Sequence, residues 1–165
     1  MPSEKIERFW EQTRLELAEV PLDISLEPME PDGLLFEYRV KSIINYRVVM
    51  SSFGGKRIRA WFTVPAGEPP TGGWPAVMVV PGYGGVLALP LHIVQYGYAT
   101  LALYPRSQGE SEHEWELEYG TKLTYNLTDK NRYYYRGAYM DCLRGLDFLS
   151  GRSEINKNRI GGWGG

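Results

Sequence analysis

Apolar positions along this chain change their period twice. Between Ser3 and about Glu19, Ile6, Phe9, Trp10, Thr13, Leu17 and Val20 recur at intervals of three and four residues, the spacing of one buried helix face. Ser3 is placed to cap that helix, Glu4 sits favourably in its first turn, and Pro21 ends it. Residues 21–33 hold Pro21, Pro28 and Pro31 and read as an extended connector over the surface. From Leu34 to Met50 the period falls to two, with Phe36, Tyr38, Val40, Tyr46 and Val48 alternating with polar residues. Ser52-Phe53-Gly54-Gly55-Lys56 supplies a turn, after which Ile58, Ala60, Phe62 and Val64 alternate again. The pattern predicts a hairpin of half-exposed antiparallel strands.

Further on, apolar residues run together. Ala76-Val77-Met78-Val79-Val80 predicts a strand buried on both faces. Val86 to Tyr96 places Leu87, Leu91, Val94 and Gln95 at helical spacing, and Tyr98 to Leu103 is a second buried strand. This order predicts a right-handed βαβ unit in a parallel sheet. Residues 105–131 are polar and irregular, too long for an ordinary connection, and read as a functional or assembly element. A helix follows from about Arg132 to Leu149. Its apolar stripe is Tyr135, Ala138, Tyr139, Cys142, Leu146 and Leu149, with Arg136, Arg144 and Asp147 on the other side and Gly151 as the stop. Arg159 to Trp163 is the third parallel candidate. The fold class expected is α/β: one domain over residues 1–165, a mostly parallel central sheet flanked by helices, with an N-terminal helix and an antiparallel hairpin.

Composition narrows the partners. At 43% hydrophobic and 23% charged, the chain has the make-up of a soluble globular domain. A net charge of −2 gives no reason to expect nucleic acid or an anionic membrane as partner. No apolar run approaches the roughly 20 residues of a membrane span. The start, Met1-Pro2-Ser3-Glu4-Lys5, lacks the apolar stretch of a secretory signal, and Cys142 has no internal partner, so a cytoplasmic setting is expected. Asn126-Leu127-Thr128 is then an accidental sequon. The twelve tyrosines can line a pocket for a polar, ring-containing ligand or serve as partly buried surface aromatics.

Three segments carry candidate chemistry. Pro81-Gly82-Tyr83-Gly84-Gly85 follows the first buried strand, where glycines allow a sharp turn and leave N–H groups pointing into a cleft. Either it is one half of an oxyanion hole, through the Tyr83 N–H flanked by Gly82 and Gly84, or it is a plain strand-to-helix turn. Tyr104-Pro105-Arg106-Ser107-Gln108-Gly109 follows the next buried strand, at an edge where open α/β sheets bind ligands. Arg106 and Gln108 there can lock neighbouring loops together or touch substrate. Last, Gly161-Gly162-Trp163-Gly164-Gly165 resembles a strand entering a G-x-S-x-G nucleophile elbow, with Gly164 and Gly165 as its first two residues. The serine is then expected as the very next residue, with the acid and the histidine further on, so that the chain as given is an incomplete hydrolase. Neither His92 nor His113 has the chain position of the triad base. Glu112-His113-Glu114 lacks a second histidine or cysteine at ligand spacing, and Cys142 reads as a small buried hydrophobe.

In their order, Glu27-Pro28, Ser52-Phe53-Gly54-Gly55 with Arg57-Ile58, Trp61-Phe62, Pro81 to Gly85, Arg106-Ser107-Gln108-Gly109, Tyr133-Tyr134-Tyr135-Arg136 and the terminal glycines resemble the acetyl xylan esterase and cephalosporin C deacetylase family of α/β-hydrolases. The resemblance covers essentially all of the chain and about half of a family-length protein. It implies serine-dependent deacetylation of small acetylated sugars or cephalosporin-like esters, without metal or cofactor, by a homo-oligomer that can be a ring-like hexamer. It also implies that Tyr83 is the oxyanion-hole residue, and that Arg106 and Gln108 occupy the arginine and glutamine positions of an R-G-Q motif. Ser107 stands where that motif has glycine, and Pro81 where a histidine commonly precedes Gly-Tyr. A prolyl-oligopeptidase-type peptidase is the alternative enzyme, and a truncated non-catalytic α/β module the alternative class.

Overall fold

In the computed structural model, residues 4–29, 43–83, 85, 88–114 and 120–164 are described. The expected Ser3 cap, the Phe36–Val40 alternation, Gly84, Val86, Leu87 and Gly165 lie outside them. Ile58, Ala60, Phe62 and Val64 share one face of strand β3 (Lys56–Pro65), and all four are buried. Strand β2 (Ile43–Ser52) pairs with β3 antiparallel from Ile43↔Pro65 to Ser52↔Lys56, as the period of two predicts. The link is a single 3-10 turn, Phe53–Gly55, in which Gly54 and Gly55 take φ of 70° and 73°, open to glycine at little steric cost.

The stretch expected to be a connector contains a strand instead. β1 (Ser25–Met29) pairs antiparallel with β2, with Pro28 opposite Tyr46. Proline lacks a ladder donor, and a strand at the sheet edge tolerates it because one side has no partner to lose.

Strands β4 (Trp74–Val80), β5 (Ala99–Tyr104) and β6 (Ile155–Gly164) complete a six-stranded sheet in the order β1-β2-β3-β5-β4-β6. Pairing is antiparallel from β1 to β5 and parallel from β5 through β4 to β6. The sheet is therefore mixed, and the expected parallel arrangement belongs to its second half. Every residue of β5 is buried, while Val77, Val79 and Val80 of β4 are only half-buried, short of the two-sided burial expected.

Among the described residues between β4 and β5, the expected helix is one turn, α2 (Leu91–Val94), preceded by Pro90, whose ring cannot sit inside a longer helix. The first helix, α1 (Glu4–Ala18), buries Thr13 and Leu17, with Phe9 and Trp10 half-buried. Ile6 departs from the predicted face and is 51% exposed.

The long helix α3 (Tyr134–Ser150) turns most of the predicted stripe inward, with Ala138 and Leu149 buried and Tyr135, Cys142 and Leu146 half-buried, and it also buries part of the side expected to be charged and exposed. Arg136, Asp141 and Arg144 are buried, whereas Tyr139 is 53% exposed. Hydrogen bonds make this possible. Arg136 donates through Nε to Thr13 Oγ1 (3.0 Å) and through Nη2 to Glu16 Oε2 (2.8 Å). Arg144 donates to the Leu17 and Val20 carbonyls, which closes the C-terminal end of α1. Cationic donors thus add to the aromatic contact between the two helices, where Trp10 meets Tyr139 at 5.7 Å and the Arg136 guanidinium lies 5.2 Å from the Phe9 ring centre. Below them, Phe148 meets Phe62 edge-on at 5.2 Å in the main core.

Cys142, on the sheet side of α3, packs against that core, and burial pushes its thiol from 9.0 up to about 11, with Asp141 adding to the effect. The unfolded chain releases this proton earlier than the native one, so the contribution is present below pH 9 and is lost as pH rises toward 11. Urea midpoints should fall between pH 8.5 and 10.5 by less in Cys142→Ala than in the parent, the window running from about 9 to about 11. Equal slopes in the two proteins would rule this out.

Candidate active site

The parallel strands end on one edge of the sheet. Val79 pairs with Ala102 and Val80 with Gly164, so the loops after β4 and β5 leave beside the last residues of β6. After β4 the chain turns at once: the Gly85 N–H donates to Gly82 O at 2.9 Å, which places Tyr83 at the first corner of the turn. Tyr83 is 57% exposed, and Lys122 Nζ lies 5.6 Å from its ring centre. Among the described residues no backbone carbonyl accepts the Tyr83 N–H. Gly164 approaches so closely that a Cβ there would lie 3.2 Å from Val80 O.

The loop after β5 is organised around a carboxylate that the sequence reading missed. Asp141 is fully buried and accepts four hydrogen bonds. Its Oδ1 takes one from Ser52 Oγ (2.5 Å) and one from Arg106 Nη2 (2.8 Å). Its Oδ2 takes one from the Arg106 N–H (2.9 Å) and one from Arg106 Nε (2.8 Å). The forked guanidinium matches the carboxylate edge, a geometry lysine cannot reproduce. Arg106 Nη2 also donates to Phe53 O at 2.7 Å, so the hairpin turn, the β5 loop and α3 meet at one side chain.

Gln108 extends the same network. Its Nε2 donates to Tyr134 Oη (3.3 Å), and Tyr134 in turn donates to Arg106 O (2.8 Å). Burial raises the Tyr134 hydroxyl pKa well above the ordinary tyrosine value, against the opposing bond from Gln108. Tyr135, edge-on to Tyr134 at 5.0 Å, is also raised, first by burial and then by the Tyr133, Tyr139 and Tyr83 hydroxyls.

Of the residues predicted from sequence, Gly82 and Tyr83 share one loop, and Arg106 and Gln108 share the next in a buried lock. His92 is exposed and packs edge-on against Trp163 at 5.3 Å. Among the described residues no three His, Cys, Asp or Glu side chains come together as a metal site, and no helix is long and apolar enough to cross a membrane. The only sequence signal for Asp141 is an acid set between Met140 and Cys142 on a core-facing helix.

Ser107 takes φ of 60° in this loop, a conformation glycine adopts without penalty and serine does not.

A glycine turn at the end of a parallel strand, flanked by strands ending on the same edge of a mixed sheet, is the arrangement of an α/β-hydrolase. The chain belongs to the acetyl xylan esterase (AXE1) family, whose model matches residues 2–165. It is similar to the acetyl xylan esterase from Paenibacillus sp. R4, with 30% identity and a TM-score of 0.81 over 94% of this chain and 50% of that one. Acetyl xylan esterase 1 from Thermoanaerobacterium sp. JW/SL YS485 shares the fold at 19% identity, with a TM-score of 0.78 over 99% of this chain and 55% of that one. The chain thus spans about half the length of these structures.

Two substitutions test the β5 loop, with a third on α3 as the control. Asp141→Ala leaves a buried guanidinium unpaired and should cost about 3–5 kcal/mol in urea unfolding. Asp147→Ala, at a half-exposed carboxylate, should cost under about 1 kcal/mol. Ser107→Gly should stabilise by up to about 1 kcal/mol by relieving left-handed backbone strain, and a loss of stability would contradict that account.

Proposed function

We propose that this chain forms about half of a serine-dependent carboxylic ester hydrolase that removes acetyl groups from small acetylated sugars or cephalosporin-like esters. The observation that carries the reading is the register Val80↔Gly164, which sets the end of β6 against the Tyr83 turn in a chain of the acetyl xylan esterase family. A serine directly after Gly165 would attack the acyl carbon beside that turn. A histidine further along the chain would take the serine proton and return it to the departing alcohol, oriented by an Asp or Glu. Water would then hydrolyse the acyl-enzyme.

Tyr83 acts through its backbone. The tetrahedral oxyanion would accept from the Tyr83 N–H and from the N–H that follows the nucleophile. One such donor is worth about 3 kcal/mol in the transition state. Arg106 and Gln108 serve as positioning residues that hold the neighbouring loop through Asp141 and Tyr134. The reading requires neither metal nor cofactor, and it places the enzyme in the cytoplasm as a homo-oligomer.

In the full-length protein, a fluorophosphonate should label the residue after Gly165, and p-nitrophenyl acetate should be turned over in preference to a proline-containing peptide anilide. Cleavage of the anilide alone would replace the esterase by a peptidase. Tyr83→Pro removes the N–H at a turn corner that accepts proline, so kcat should drop about 10²–10³-fold at nearly constant KM. An unchanged kcat would remove Tyr83 from the oxyanion hole.

A further inference from the structure

A cavity of about 430 Å³ opens between the Phe53–Gly55 turn, the start of α3 and residues 125–133. Tyr83 does not line it. The geometry points to this cavity as a binding site for a small ring-bearing carboxylate of the uronic-acid type.

Charge gives the sign of the ligand. Lys56 and Arg132 both line the cavity, and no carboxylate does among the described residues. Arg106 contributes one wall, but Asp141 neutralises it. The nearby Asp129 carboxylate is engaged by the Asn131 N–H at 2.9 Å. Helix α3 opens toward the cavity at Tyr133 and Tyr134 with no side-chain cap and no acid in its first turn, so the positive end of the helix dipole adds to the two cations. In a chain with a net charge of −2, this is a local inversion.

Size and lining give its shape. The volume falls in the range of small-molecule sites and is far larger than a bare ion needs. Tyr133 offers a half-buried ring, Phe53 lines the cavity with the Arg136 guanidinium 4.7 Å from its ring centre, and the Asn131 amide offers both a donor and an acceptor. A mostly polar lining that includes aromatic rings suits a saccharide ring with its hydroxyls, and Lys56 with Arg132 suits the carboxylate on it. The site therefore selects on charge as well as on ring.

Titration calorimetry on the full chain with D-glucuronate, D-glucose and inorganic phosphate tests this. Glucuronate should saturate one site, with glucose and phosphate each weaker by about tenfold or more, which is about 1.4 kcal/mol. The double variant Lys56→Gln/Arg132→Gln should lose the preference for glucuronate over glucose, while Lys56→Arg should keep it. Neither side chain is buried, so both proteins should melt as the parent does. Equal affinity for glucuronate and glucose, phosphate binding as tight as glucuronate, or an unaltered double variant would each overturn the assignment. Glucuronate carries no ester, so the titration reads this cavity whether or not the chain hydrolyses acetyl groups.

Discussion

Asp141 carries a carboxylate where no water reaches it, and the surroundings determine whether it holds the fold together or breaks it. Removing such a group from water costs several kcal/mol, and attraction to one cation compensates only when the geometry is right. Here both oxygens accept two hydrogen bonds each, three of the four from Arg106 and one from Ser52. The compensation is geometric. It requires the hairpin turn, the β5 loop and α3 to be in register at the same time, because each contributes an atom. A buried ion pair of this kind adds less to net stability than well-packed hydrophobes would, but it tolerates far fewer arrangements of the segments around it.

That dependence explains which features could be read from the sequence. Where burial alone sets the pattern, the periods were legible: Ile58 to Val64 in β3, the apolar runs of β4 and β5, and the existence of α1 and α3. The failures occurred where polar groups are buried. Arg136 and Arg144 read as lying opposite the apolar stripe because charge ordinarily marks a solvent face, yet their partners are Thr13, Glu16 and the Leu17 and Val20 carbonyls at the end of α1, more than a hundred residues away. Ser52 and Asp141 stand 89 residues apart, and no local periodicity connects them. Pro28 argued against a strand, but an edge position removes the objection.

The two glycine segments at this edge were more legible than the network behind them. A glycine cluster after a buried strand and glycines at the end of another are local signals, and the parallel register brings them to one edge. Ser107 shows the same logic from the opposite direction. Its φ is positive, the left-handed conformation that glycine adopts without penalty and serine does not.

Two glycines on the inner side of α3 have a mechanical consequence. At Gly145 a Cβ would lie 2.7 Å from Met78 Sδ and 3.0 Å from Leu103 Cδ2, and at Gly137 it would strike the Arg106 guanidinium. Each glycine is a notch filled by a side chain of the layer beneath, one over β4 and β5 and the other over the loop after β5. A helix keyed at two points along its length can neither slide along its axis nor roll without lifting away from the sheet. Any change of shape at this edge must then come from the loops, because the helix that frames them is held at two points.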